Sequence, residues 1–150
     1  MQPQHDPVEV DVDESDLLHR ARDARRNAYV PYSGFHVGAV VLSASGELYT
    51  GANVENAAYP LGMCAERTAI GTMVAAGDTG PILAVAVVGD GDDPCTPCGG
   101  CRQVIAEFGP RASVLASGDG GRPLRTTAAE LLPHAFGPMR LAQAGLEPGL

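Results

Sequence analysis

The stretch PILAVAVVGDGDDPCTPCGGCRQVIAEFGP, residues 81–110, decides the fold. Ile82 to Val88 is a continuous apolar run with turn signals on both sides, which reads as a central strand covered on two faces. Gly89 to Pro97 reads as a loop, and Cys98 to Phe108 as a short helix closed by Gly109-Pro110. The chain on either side supplies matching pieces. Upstream, Met63 to Ala76 predicts a helix stopped by Gly77. His36 to Leu42 and Glu47 to Ala52 predict two strands joined by the turn Ser43-Ala44-Ser45-Gly46. Before them, Leu17, Ala21, Ala24 and Ala28 lie along one face of a first helix, with Asp13 or Ser15 as its cap. Val30 to Gly34 is a turn, and Asn53 to Gly62 is a polar loop. Downstream, Ser113 to Ala116 predicts a strand and Pro123 to Arg125 a further short one. Thr127 and Glu130 fit a capping box for a last helix, after which Pro133, Gly137 and Pro138 break up the chain. This order predicts an α/β fold: a three-layer α-β-α sandwich around a mixed sheet of about five strands. An antiparallel hairpin opens it, and parallel pairing is expected in the middle.

The 150 residues suit one domain with a real core. The expected boundaries are a tail over 1–13, the domain over 14–140 and a second tail over 141–150. Tryptophan is absent, so Val, Leu, Ile and Ala must supply most of the apolar burial. The formal net charge is -8, which argues against a broad nucleic-acid surface. Arg20, Arg22, Arg25 and Arg26, interleaved with Asp23, read as a solvated helix face. No run is long and apolar enough to span a bilayer, and residues 1–16 carry no secretory signal. A cytoplasmic address is the expectation, and there clustered cysteines read as metal-binding or catalytic.

All four cysteines lie between residues 64 and 101. Cys98 and Cys101 form a C-x-x-C at a helix start, which places two sulfurs near the separation that tetrahedral zinc requires. Cys64 supplies a third sulfur from the start of another helix, where the helix dipole favours thiolate. Cys95 forms an overlapping C-x-x-C with Cys98, so spacing also permits a closed four-cysteine structural site. Glu66 has no role in a purely structural site. Two residues after a ligand, it suits a general acid/base beside a catalytic metal. As a plain surface residue it would merely favour the helix N-terminus.

With those residues in place, the chain resembles the small homotetrameric cytidine deaminases of pyrimidine salvage. The resemblance spans about Leu17 to Pro138 and rests on four motifs in order. They are Tyr32-Ser33-Gly34-Phe35-His36-Val37-Gly38-Ala39, Gly51-Ala52-Asn53-Val54-Glu55-Asn56-Ala57, Cys64-Ala65-Glu66-Arg67-Thr68-Ala69 and Pro97-Cys98-Gly99-Gly100-Cys101-Arg102-Gln103. It implies a cytidine deaminase-like fold and hydrolysis of cytidine and deoxycytidine to uridine and deoxyuridine with loss of ammonia. It implies one zinc per chain on Cys64, Cys98 and Cys101, with Glu66 shuttling protons and Cys95 not a ligand. By the same resemblance Asn53 and Glu55 hold the ribose hydroxyls and Phe35 packs on the pyrimidine. The Ala65 N–H donates to the base carbonyl, and Arg67 hydrogen-bonds the zinc thiolates. A homotetramer is implied in which Ala57, Tyr59 and Phe136 are lent to neighbouring pockets. Two departures stand out: His36 where many relatives carry proline, and Gly100 where alanine is usual. Neither removes a functional group.

Two other readings stay open at this level. One is a four-cysteine zinc module that binds partners without catalysis. The other is a deaminase acting on RNA or DNA, which a basic surface track would support and this acidic chain lacks.

Overall fold

In a computed structural model that describes residues 11–146, helix α1 (Glu14–Ala24) begins where the Asp13 carboxylate accepts from the Asp16 N–H at 3.0 Å. Asp13 is therefore the cap, and Ser15 lies inside the helix. Strands β1 (Val37–Ser43) and β2 (Leu48–Ala52) follow, then helix α2 (Ala65–Ala75) and strand β3 (Ile82–Gly89). Helix α3 (Gly99–Phe108), strands β4 (Ser113–Ser117) and β5 (Leu124–Thr127), and helices α4 (Ala128–Leu131) and α5 (Pro138–Gln143) complete the chain. Most of the expected tail over 1–13 lies outside the described residues.

The five strands form one open mixed sheet in the order β2-β1-β3-β4-β5. Parallel pairing is confined to β3 with β4, because β3 runs antiparallel to β1 on its other side. The connection from β2 through α2 thus steps over β1 before β3 joins the sheet. Burial accounts for the order. β1 buries four consecutive residues, Gly38 to Val41, whereas β2 buries only Gly51 and takes an edge.

Alternation along the strands makes two cores. Ala39, Val41, Val85 and Val87 pack on one face against Ala65, Ala69, Ile70 and Met73 of α2 and Ile105 of α3. Val40, Ala84, Ala86, Val88 and Leu115 pack on the other against Leu17 and Ala21 of α1. The β3 run is thus covered on both faces, as its unbroken apolarity predicted. Met73 and Ile105 are fully buried, so truncating either to alanine costs about 2–5 kcal/mol. At Gly38, α1 comes so close that any Cβ would collide with the Ala21 carbonyl oxygen.

Two expectations change. The arginines in and just after α1 are not one solvated face. Arg20 and Arg26 pair with Asp16 and Asp23 in solvent, but the Arg25 side chain is only 16% exposed and reaches Asp90 and Asp119. Carboxylates from distant loops converge on it, which local charge patterning cannot reveal. After α4, residues 132–137 are non-helical, as Pro133 and Gly137 predicted, but Pro138 opens a helix instead of breaking one. Pro138 begins α5, where its fixed φ suits the first turn and its missing N–H is no loss. That helix ends at Gln143.

Candidate active site

Two helix starts meet at one place. Cys64 is the N-cap of α2 and Cys98 the N-cap of α3, while Cys101 lies within the first turn of α3. Their three sulfurs lie within 4.8 Å of one another, and Cys64 Sγ is 3.7 Å from Cys98 Sγ. Zinc–sulfur bonds of about 2.3 Å at tetrahedral angles separate sulfurs by about 3.8 Å, so this donor set fits zinc. The charge balance fits as well. A hydrogen bond from the Cys101 thiol holds Cys64 down to about 5, with Arg67 assisting, and that contact together with burial pushes Cys101 up. Two sulfurs that oppose each other's ionisation in this way are both held as thiolates when a cation sits between them.

Arg67 stands beside them. Its guanidinium donates to the Gly62 carbonyl at 3.0 Å and lies 3.9 Å from Cys64 Sγ. Its Nε is the one buried side-chain nitrogen or oxygen without a hydrogen-bond partner among the described residues. A guanidinium with a spare buried donor next to thiolates offsets their negative charge.

Glu66 is 4% exposed, in the first turn of α2. Burial pushes its carboxyl above the usual range, and the Cys64 thiolate adds to the rise. A desolvated carboxyl next to a metal-ligand set, lining a cleft, is what proton transfer requires.

The cleft is a cavity of about 610 Å³, within the range of small-molecule sites. Cys64, Ala65, Glu66 and Cys98 line its metal end, and Asn53, Glu55, Tyr32 and Tyr59 line the rest. Ala65 is the first residue of α2, so its N–H has no acceptor within the helix. One Glu55 oxygen accepts from the Tyr32 and Ser33 N–H groups at 3.0 and 3.1 Å. Asn53 spends part of its amide on backbone: Oδ1 accepts from the Val37 N–H and Nδ2 donates to the Phe35 carbonyl. Each of its polar atoms keeps capacity for one more bond.

Three of the expected substrate-contact residues lie apart from this single-chain cavity. Phe35 is 44% exposed and its ring sits against Gly89 rather than among the lining residues. Ala57 is exposed in the loop before α2, and Phe136 is 61% exposed, with its carbonyl accepting from Gln103 Nε2 at 2.7 Å. Tyr59, 77% exposed, is the one of the expected lent residues at the cavity mouth, edge-on to Tyr32.

Cys95 resolves the overlapping C-x-x-C pairs. Its sulfur is not in the three-sulfur group, so a four-cysteine cluster does not form among the described residues. Instead it lines the cavity wall, where burial pushes its thiol up to about 11. Sequence reasoning left it without a place, and also missed Val37, Met63 and Thr96 as lining residues. Spacing carried no signal for them, because the tertiary fold brings the start of β1 and two loop residues to the cleft.

A family model described as "Cytidine and deoxycytidylate deaminase zinc-binding region" matches residues 11–117. A cytidine deaminase from Sporosarcina psychrophila is 45% identical over 134 residues, 89% of this chain and 98% of that protein. One from Mycobacterium tuberculosis is 43% identical over 127 residues, 85% of this chain and 92% of the other. The crystal structure of a cytidine deaminase from Burkholderia pseudomallei superposes with a TM-score of 0.80 at 44% identity, covering 83% of this chain and all of that one.

Proposed function

The chain belongs to the cytidine and deoxycytidylate deaminase family, and on that premise we propose that it hydrolyses cytidine and deoxycytidine to uridine and deoxyuridine, releasing ammonia. The observation that carries this is the buried Glu66 carboxyl beside three converging cysteine sulfurs at the end of a nucleoside-sized cavity. Zinc held by Cys64, Cys98 and Cys101 supplies, when bound, the Lewis acidity that makes water nucleophilic at neutral pH. Glu66 takes a proton from the attacking water at its carboxylate and delivers it to ring N3. It then carries a second proton to the departing amino nitrogen, so water and cytidine become uridine and ammonia. Ala65 N–H donates to the base carbonyl, and the Glu55 carboxylate accepts from a ribose hydroxyl with Asn53 beside it. Arg67 keeps the thiolate charge in check.

Purified zinc-loaded protein should consume cytidine in an ultraviolet assay, and no loss of cytidine absorbance would overturn the proposal. Nucleosides should be preferred over nucleotides. None of the residues lining the cavity is Lys or Arg, and Glu55 would meet an added phosphate with like charge. Deamination of CMP should run at least about tenfold slower than that of cytidine in kcat/KM, a modest 1.4 kcal/mol of repulsion. Equal rates would refute the placement of Glu55 at the sugar.

A homotetramer with shared pockets is part of the same reading. Exposed apolar side chains support it: Tyr59, Leu61, Phe136 and Met139 are each more than 60% exposed. A closed symmetric assembly would cover them. Mixing Glu66→Gln and Phe136→Ala chains by co-refolding tests the sharing. Hybrid pockets combine Glu66 of one chain with Phe136 of another, so activity should exceed the mean of the two parents. Activity equal to that mean, or an active monomer on sizing, would show that pockets are not shared.

A further inference from the structure

Behind the Phe35 segment lies a set of contacts that the proposed chemistry does not use. One Asp90 carboxylate oxygen accepts from the His36 backbone N–H at 2.8 Å and from His36 Nδ1 at 2.8 Å. The Asp90 N–H in turn donates to the His36 carbonyl at 3.1 Å. The other carboxylate oxygen lies 3.2 Å from Arg25, whose guanidinium also reaches Asp119 at 2.7 Å and the Gly89 carbonyl at 2.9 Å. Asp119 closes the set by accepting from the Gly91 N–H at 2.9 Å. Arg25 sits just past the end of α1, which Gly38 lets press onto β1, so the network has a rigid base.

The Phe35 ring is placed where this network acts. A Cβ built on Gly89 would come within 3.2 Å of Phe35 Cζ and 2.8 Å of Cys95 Sγ. Ring and thiol therefore converge on one glycine, and Cys95 lines the cavity. Asn53 holds the Phe35 carbonyl from one side, and the next residue, His36, is held from the other side by Asp90. We infer that Asp90 is a positioning residue: seated by Arg25 and acting through His36, it fixes the exposed Phe35 segment so that the ring stays packed on Gly89, next to Cys95 of the cavity wall, from where it meets the pyrimidine. The inference rests on the reading of Phe35 as the base contact. Without Asp90, both His36 donors lose their acceptor, and the segment is left with the Asn53 clamp, the Ser33 hydroxyl on the Phe35 N–H at 3.0 Å and the main-chain bond to residue 90.

The test uses zinc-loaded protein grown with 3-fluorophenylalanine. The chain has three phenylalanines, so three fluorine resonances are expected, and Phe35→Leu identifies one of them. Asp90→Ala and His36→Ala should shift and sharpen the Phe35 resonance while zinc content stays at one per chain. Each should raise KM for cytidine about tenfold and change kcat by no more than about twofold, the pattern of lost ground-state positioning. His36→Asn places an amide N–H near the Nδ1 position and should restore both resonance and KM. A Phe35 resonance unmoved in both alanine variants overturns the inference, as does a KM loss that His36→Asn fails to rescue. A moved resonance with KM unchanged, in Phe35→Leu as well, leaves the hold on the ring standing and overturns the base-contact reading instead.

Discussion

Glu66→Gln should keep its zinc and its fold and lose about 10²–10⁴-fold in kcat, the usual range for removing a general acid/base. That is about 3–5 kcal/mol of transition-state stabilisation. Glutamine matches glutamate in size and can still hydrogen-bond, but it cannot take up or release a proton. The native carboxyl is buried beside a thiolate, so replacing it with a neutral amide removes a desolvated charge rather than creating one. Stability should hold or rise slightly by thermal denaturation. Zinc by atomic absorption, melting temperature and turnover on cytidine measure the three parts. Near-normal turnover would remove Glu66 from the proton path. Lost zinc would mean that its role is structural.

Cys101→Ser should be more damaging, because it removes both metal and activity. Cys101 is fully buried in the first turn of α3, and its sulfur meets those of Cys64 and Cys98. Serine offers a hard, weakly acidic hydroxyl where zinc prefers thiolate, and two remaining sulfurs hold the ion poorly. Zinc content should fall from one per chain toward none and cytidine turnover to background. The melting temperature should drop as well, since metal binding at such a site contributes folding free energy. Cys95→Ser is the matched control. That sulfur lies outside the three-sulfur group, so one zinc per chain and most activity should remain. Loss of zinc in Cys95→Ser, or its retention in Cys101→Ser, would overturn the three-cysteine assignment.

Parts of the site were legible in the sequence because their chemistry is local. Cys98 and Cys101 are three residues apart, and Glu66 is two residues from Cys64, so helix geometry alone fixes each pair. The approach of the two pairs depends on α2 and α3 packing on the same face of the sheet, which spacing only suggested. Asn53 and Glu55 were legible as polar residues of one loop. Their division of labour was not: Asn53 clamps the Phe35 segment and Glu55 caps the Tyr32 turn with one oxygen, and these are contacts across the chain. Arg25 is the clearest case of local reading misleading, because its partners are 65 and 94 positions away.

By itself the sequence determined what repeats at short range. The unbroken run Ile82 to Val88 specified a strand buried on both faces, the alternating elements specified an α/β sandwich, and the capping box at Thr127 and Glu130 specified a helix start. Only the tertiary structure decided which strands are neighbours, that β3 pairs with β1 in antiparallel fashion, and which of two overlapping C-x-x-C pairs presents its sulfurs to one point. The physical reason is one of range. Hydrogen bonds within a helix or turn depend on residues a few positions apart, whereas strand order and site geometry depend on which apolar faces can be buried against each other at once. That is a property of the whole chain.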